Sequence, residues 1–351
     1  MTHNFITCDI AKYIFSFSAI FLNHLCCVNG TCSFYRINIS NGLLLYYHHY
    51  SYYSQKVLMA LHEKNLSFEG RSVDIIKGAQ FEPWFLEINP RGEVPVLQDV
   101  GKIIPDSTRI IDYLEDNLSN GDTPRLIPID QGAETRQKVV QYRQLLDQVP
   151  AGLVTMGSIF HPEFVKNPKA PFFGPVRKML ANAETNSSAI LREHAEKNPK
   201  HKEILVQKAD LQEKKHLQVI NKDEFSKVIG HLENVLDKIE EELSKRGKDK
   251  QNWWLCTDRF TVADISLTIL LERLNQLGFE SRFWIGGRRP NIEKYYEDVK
   301  LRDSYKKTIP NTCFHVKMLI SSQNPTHLGL GVVAGIAIII GGVIIVKKIL
   351  H

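Results

Sequence analysis

The order of hydrophobic and polar residues divides the chain into two folded parts that differ in periodicity. Up to about residue 120, short apolar runs of strand length alternate with helical patterns. The predicted strands are Leu43–Tyr47, Phe68–Ile75, Val94–Leu97 and Lys102–Ile104. The predicted helices are Ser54–Lys64, Phe81–Ile88 and Asp106–Asn117. This βαβ-α-ββ-α order predicts an α/β domain over residues 41–120.

The second part, residues 124–310, has a helical pattern throughout and predicts an all-α domain. Gly121 and Pro124 break both periods, so residues 120–124 are predicted to link the two domains. Strong amphipathic helices are predicted at Ala133–Val149 and Phe225–Lys245. Between them, residues 150–225 are proline-rich at first and charged later. We interpret them as an insertion of about seventy residues and predict that it binds protein partners, because long loops carry function more often than they stabilise cores.

An uncharged segment near the end of the chain predicts a membrane anchor. Leu328–Val346 contains nineteen residues without a charge, which as a helix span about 28 Å, close to a hydrocarbon core of about 30 Å. Lysines on both sides of the segment are typical of anchors in the mitochondrial outer membrane, and the peroxisomal membrane is the alternative. Gly331 and Gly335 have the spacing that lets two such helices pack closely, so a homodimer is possible.

Composition narrows the class of protein further. The 351 residues are 43% apolar and 24% charged, and the net charge of +5 is too small and too dispersed to predict nucleic-acid binding. Cys256 is the only cysteine between residues 41 and 310, and no cysteine has metal-ligand spacing with histidine. We therefore predict no metal site and a folded part that faces the cytosol. Residues 1–40 match no pattern and are left as an unassigned N-terminal extension.

The chemistry centres on Asn89–Leu97, which reads NPRGEVPVL, and on Asp106 and Ser107. Pro95 lies between strand-forming residues, which predicts a cis Val94–Pro95 bond whose Val94 backbone faces outward. Asp106 or Ser107 is predicted to cap a helix, and the N–H groups of a helix N-terminus attract a carboxylate. The two positions together predict a site for a small anionic peptide.

These motifs resemble the glutathione transferase superfamily. The resemblance implies a thioredoxin-like N-terminal domain, an all-helical C-terminal domain and glutathione as a possible ligand. It implies that Val94 pairs with the cysteinyl part of glutathione, and that Asp106 and Ser107 hold the γ-glutamyl end. Ser51, or the neighbouring Tyr52 and Tyr53, falls where the superfamily keeps the side chain that activates the thiol. Glu93 departs from the pattern, because a carboxylate beside the anionic glycine end of glutathione opposes its binding.

Thr261 and Asp264 belong to a second motif, Arg259-Phe-Thr-Val-Ala-Asp-Ile265, which transferases carry in the same place. Their spacing is that of a capping box, in which the two residues satisfy each other's N–H groups at the start of a helix. We interpret both residues as structural rather than catalytic.

The transferase motifs, the insertion, Glu93 and the apolar tail together resemble the family of ganglioside-induced differentiation-associated protein 1. That resemblance implies a protein of the mitochondrial outer membrane that promotes fission and supports redox balance, with weak or absent transferase activity. Two hypotheses follow. Either the chain is a noncatalytic module that binds a partner or a hydrophobic ligand, or it is an active glutathione transferase that uses Ser51 or a neighbouring tyrosine.

Overall fold

The structure, a computed structural model, describes residues 42–119, 123–245, 254–315 and 318. The N-terminal extension, part of the linker and the apolar segment with Gly331 and Gly335 lie outside these ranges. Among the described residues, no helix combines the length and the apolar character that a membrane crossing requires.

Four strands form one mixed sheet in the N-terminal domain. They are β1 (Leu43–Tyr47), β2 (Phe68–Ser72), β3 (Val96–Asp99) and β4 (Lys102–Pro105). Their order is β2-β1-β3-β4, with β1 parallel to β2 and antiparallel to β3, and with β3 and β4 forming an antiparallel hairpin. The first strand has its predicted bounds, whereas β2 stops at Ser72 and β3 starts two residues after Val94. This sheet confirms the thioredoxin-like fold.

Helices cover both faces of the sheet because successive strand residues point in opposite directions. The helices are α1 (Tyr52–Glu63), α2 (Pro83–Leu86) and α3 (Ser107–Asn117). Leu45 and Leu97 join the main core with α1 and α3. Tyr46 and Val96 point to the other face, where they pack against Phe85 of α2. The apolar residues of the strands are therefore buried on both sides.

The C-terminal domain is all-helical, as predicted. Its helices are α4 (Ala133–Asp147), α5 (Ala151–Phe160), α6 (Gly174–Thr185), α7 (Ser187–Lys197), α8 (Lys202–Ile220), α9 (Lys222–Ser244), α10 (Val262–Leu277), α11 (Glu280–Phe283), α12 (Pro290–Lys300) and α13 (Asp303–Thr308). Helix α10 is central, and all but one of its residues are buried. The apolar residues of α4, α5, α9 and α12 pack in the same core.

The predicted insertion divides into a part that belongs to the main core and a part that does not. Helix α5 lies in the core, and a side chain at Gly157 would collide with the ring of Phe225 in α9. Helix α5, which the predicted insertion at residues 150–225 includes, is therefore part of the main core. Helices α7 and α8 form a hairpin. Its buried residues form a small core, separate from the main core, together with Leu86 of the N-terminal domain.

Helix α1 connects the two domains through charged side chains. The ammonium group of Lys56 lies 2.6 Å from the Asp147 carboxylate of α4, and Ser266 of α10 donates to the same oxygen at 2.8 Å. At the other end of α1, Glu63 accepts hydrogen bonds from the guanidinium of Arg302 at 2.7 and 2.8 Å. These contacts fix the N-terminus of α1, and with it Ser51, relative to the helical domain.

Candidate functional site

The loop before β3 contains the predicted cis bond between Val94 and Pro95. Gly92 shapes this loop, because it has a φ of +57° and because a Cβ atom there would lie 2.7 Å from the ring of Phe81. Only glycine fits both conditions without a shift of its neighbours. The side chain of Asn89 closes the loop by donating to the Glu93 carbonyl at 2.9 Å.

The backbone of Val94 is free to bind an extended ligand. In the part of the chain that the structure describes, neither its N–H nor its carbonyl takes part in a hydrogen bond. The side chain packs inward, against the small core around Tyr46 and Phe85. Such a backbone pair can hydrogen-bond the main chain of a short peptide, as an added strand does at a sheet edge.

Asp106 caps α3, as its position predicts, and its carboxylate is engaged by its own helix. One carboxylate oxygen accepts the N–H groups of Thr108 at 3.0 Å and Arg109 at 3.1 Å. Asp106 has a φ of +77°, which is uncommon for a residue with a side chain. Ser107 follows with a buried side chain. Backbone strain of this kind persists where the surroundings hold the residue in place, and it is common at ligand sites.

The three residues at the predicted thiol position play different parts. Ser51 caps α1, and its hydroxyl oxygen accepts the N–H of Ser54 at 3.3 Å. Tyr52 is buried, its hydroxyl has no hydrogen-bond partner among the described residues, and burial raises the pKa of that hydroxyl. A tyrosine in this state does not ionise near neutral pH, so Tyr52 packs rather than activates a thiol.

Tyr53 is partly exposed, whereas Tyr52 is buried in the core. About half of its side chain is exposed, at 48%. Burial of the remainder raises the pKa of its hydroxyl, and the carboxylates of Asp147, Asp106 and Glu93 raise it further. Tyr53 therefore lies within electrostatic range of both Asp106 and Glu93, which links the two predicted ends of the site.

Arg273 of α10 is a residue at the site that the sequence reading missed. Its guanidinium donates to the Tyr50 carbonyl at 2.8 Å and to the Thr155 hydroxyl at 3.2 Å. It lies over the rings of Phe172 and Tyr52, and burial lowers its pKa to about 10. This places a cation beside the N-terminus of α1. The available signal was a charged pair, Glu272-Arg273, within an otherwise apolar helical run.

Glu93 has an ion-pair partner that no local pattern predicts. The ammonium group of Lys208, in α8, lies 2.6 Å from a carboxylate oxygen of Glu93 and 2.8 Å from the carbonyl of Arg91. The Arg91 side chain approaches the other carboxylate oxygen at 3.3 Å. The Glu93 carboxylate and the Lys208 ammonium group are therefore already paired within the chain.

Thr261 and Asp264 form the capping box at the start of α10. The buried Asp264 carboxylate accepts the N–H groups of Thr261 at 2.8 Å and Leu255 at 2.7 Å, and the hydroxyl of Tyr295 at 3.0 Å. These bonds hold together the start of α10, the segment before it and α12. The contacts are structural, and none of them involves Ser51, Val94 or Asp106.

Two depressions on the surface of the described residues lie away from the predicted glutathione residues. One lies along the exposed face of α4, and the other lies between Leu153, Val219 and Phe225. Among the described residues there is also no group of histidine, cysteine and carboxylate side chains arranged to hold a metal ion.

Comparison with known proteins identifies the class. Residues 45–121 match the family model of the glutathione S-transferase N-terminal domain, and residues 218–298 match that of the C-terminal domain. The beta-etherase LigF from Sphingobium sp. strain SYK-6 has the same fold, with a TM-score of 0.57, 23% identity, and coverage of 76% of this chain and 98% of LigF. Glutathione transferase F7 from Populus trichocarpa gives a TM-score of 0.52 at 21% identity, with 76% and 97% covered. The fold and the domain models define a protein of the glutathione S-transferase superfamily.

Sequence similarity identifies the family within that class. Human ganglioside-induced differentiation-associated protein 1-like 1 is 35% identical over an alignment of 277 residues, with 76% of this chain and 74% of the relative covered. Glutathione S-transferase TCHQD from Arabidopsis thaliana is 28% identical over 268 residues, with 76% and 88% covered. The chain belongs to the family of ganglioside-induced differentiation-associated protein 1-like proteins.

Proposed function

We propose that this protein is a glutathione-transferase-like module anchored in the mitochondrial outer membrane, where it regulates fission, organelle shape and redox balance by binding a partner or a hydrophobic ligand. Membership of the family supports this function. The uncharged segment Leu328–Val346 supports the anchor, with the folded domains facing the cytosol.

The observation that carries the noncatalytic part of the proposal is the ion pair between Glu93 and Lys208. The Glu93 carboxylate lies next to Val94, where members of the superfamily hold the anionic glycine end of glutathione. The ammonium group of Lys208 already contacts this carboxylate at 2.6 Å. The residues at the position where the superfamily activates the thiol also support a noncatalytic function. Ser51 acts as a helix cap, and the Tyr52 hydroxyl is buried. A free tripeptide has to displace an intramolecular contact to bind.

The inserted helices supply the surface for partners. They carry large apolar side chains in contact with solvent, and burial of these side chains against a partner would be favourable. The exposed residues on α6, α7 and α8 are Met179, Ile190, Leu211, Leu217 and Ile220.

The alternative is an active glutathione transferase that conjugates electrophiles at the membrane surface. The free backbone of Val94 favours it, since this is the group that pairs with the cysteinyl part of glutathione in the superfamily. Arg273 favours it as well, because a cation near the N-terminus of α1 lowers the pKa of a bound thiol.

Ligand-dependent stabilisation separates the two functions. We expect glutathione in the millimolar range to leave the melting temperature of the full chain in mild detergent unchanged. An active transferase would instead show a melting temperature that rises with glutathione concentration, because a ligand that binds only the folded state stabilises it. A rise that grows with concentration would exclude the noncatalytic function.

Deletion of the predicted anchor tests the location. Removing residues 328–351 should release the protein into the cytosol and abolish its effect on mitochondrial shape. Truncated protein that remains on mitochondria would exclude the anchor, and full-length protein found on peroxisomes would favour the alternative membrane.

Replacing Gly331 and Gly335 with leucine tests the homodimer, because bulky residues block close helix packing. Unchanged cross-linking between copies would argue against this contact.

A further inference from the structure

Lys208 reaches the predicted site from a distant part of the chain. Its ammonium group contacts both Glu93 and the carbonyl of Arg91, and only 25% of its side chain is exposed. Glu93 immediately precedes Val94, whose N–H and carbonyl are free within the described residues. A cation and a free backbone edge therefore lie side by side, as binding of a short peptide with a carboxylate end requires.

The docking of the α7–α8 hairpin determines the position of Lys208. The hairpin buries Leu205 and Ala209 against Leu86 of α2. Glu87, directly after α2, forms an ion pair with Lys200 and contacts the His201 ring at the turn between the two helices. Because Lys208 lies between Leu205 and Ala209, this docking holds its ammonium group over the loop that contains Glu93.

The Glu93 carboxylate occupies the position on this cation that a ligand carboxylate would take. A tethered group competes with an effective concentration in the millimolar range or above, so it excludes a free ligand of similar intrinsic affinity. Glu93 also repels a second carboxylate that approaches the same ammonium group. Both effects disappear if Glu93 loses its charge while Lys208 stays in place.

We propose that Lys208 is a binding residue for the terminal carboxylate of a short anionic peptide that pairs with Val94, and that Glu93 closes this site by occupying Lys208. The inference rests on the proposed function, in that it takes the loop around Val94 as the ligand site. It adds a residue from the inserted helices to that site, and it explains why a glutathione-transferase fold with a free Val94 edge should fail to hold glutathione.

The test is calorimetric titration of the full chain in mild detergent with glutathione. Glu93→Gln keeps the shape of the side chain and removes its charge, and we expect it to tighten glutathione binding by at least about tenfold. The double variant E93Q/K208M should lose that gain. The matched control is Glu193→Gln, which removes the carboxylate of the exposed pair with Lys197 within α7 and should leave affinity for glutathione unchanged.

A second ligand shows which end of glutathione is recognised. The glycyl ethyl ester of glutathione lacks the terminal carboxylate, so E93Q should bind it no more tightly than the wild type does. Equal affinity of E93Q and wild type for glutathione, or a gain that persists in E93Q/K208M, would overturn the inference and leave the noncatalytic function standing. Tight binding by the wild type that K208M abolishes would retain Lys208 as the carboxylate-binding residue, but would overturn both the closure by Glu93 and the noncatalytic function.

Discussion

The ammonium group of Lys64 lies 2.7 Å from a carboxylate oxygen of Glu115, and both side chains are buried. Lys64 ends α1, and Glu115 lies in the last turn of α3. Glu115 also accepts the backbone N–H groups of Leu126 and Ile127, each at 3.1 Å. The pair therefore fixes the chain where it enters the helical domain.

Replacing Glu115 with alanine should strongly destabilise the fold. The change leaves two backbone N–H groups without their acceptor. It also removes the carboxylate that neutralises the buried Lys64 ammonium group, which keeps only its hydrogen bonds to Ser119 and the Pro124 carbonyl. We expect a loss of about 3–5 kcal/mol in the free energy of unfolding. Denaturant unfolding followed by circular dichroism measures it. The matched control is Glu297→Ala, which breaks the exposed pair with Lys300 and should cost less than about 1 kcal/mol. Similar losses for both variants would contradict this account of the buried pair.

The role of Ser51 is separable from thiol chemistry by two substitutions. Ser51→Ala removes the acceptor for the N–H of Ser54 and should cost about 1 kcal/mol of stability. Ser51→Asp keeps a capping oxygen but has no hydroxyl to donate to a thiolate, so it should restore most of that stability. Thermal unfolding of the two variants, beside conjugation assays with an electrophile, makes the comparison. Equal stability of wild type and Ser51→Ala would exclude the capping role.

The features that the sequence predicted correctly are those that depend on interactions between residues close together in the chain. The continuous apolar run of β1 and the spacing of Thr261 and Asp264 are patterns among near neighbours in the chain. The cis bond before Pro95 follows from the residues on either side of it. Such features depend on a few adjacent residues, so a single sequence is sufficient to recognise them.

Contacts between distant residues account for what the sequence reading missed. Glu93 appeared to be an unopposed charge, because its partner Lys208 lies 115 residues away in a helix that reads as an ordinary charged run. Arg273 is separated by 223 residues from the Tyr50 carbonyl to which it donates. The burial of α5, within the predicted insertion, also depends on a distant contact, the close approach of Phe225 to Gly157.

Mild acid should weaken the fold through His48. This side chain is 3% exposed, and burial lowers its pKa from 6.5 to about 4. Its Nδ1 atom accepts the N–H of Tyr50 at 3.3 Å, and protonation at Nδ1 removes that acceptor. Between pH 6.5 and about 4 the unfolded state binds the additional proton, so stability falls as the pH falls. We expect His48 to account for about 3 kcal/mol over this range.

Replacement of His48 with asparagine isolates this contribution. An asparagine oxygen can accept the N–H of Tyr50 but does not titrate, so the free energy of unfolding should fall less steeply with acid in His48→Asn than in the wild type. His49 and His315, whose pKa values are also lowered by burial, remain in both proteins. Denaturant unfolding between pH 7 and pH 4 measures the two slopes. Identical slopes would show that His48 is not the group responsible.

The α7–α8 hairpin is joined to the N-terminal domain by a small core. Five buried residues form it: Leu86, Leu191, Ala195, Leu205 and Ala209. A cluster of this size contributes little stability compared with the main core, so the hairpin should open locally, without unfolding of the rest of the protein.

Leu205→Ala should therefore loosen the hairpin while the main core stays folded. Loss of a fully buried leucine side chain costs about 2–5 kcal/mol at its site. We expect faster amide hydrogen exchange in α7 and α8, with exchange in α10 unchanged. Leu211→Ala is the matched control, because Leu211 lies on the same helix but is 57% exposed, and this variant should exchange as the wild type does. Faster exchange in α10 of Leu205→Ala would show instead that the hairpin and the main core unfold as one unit.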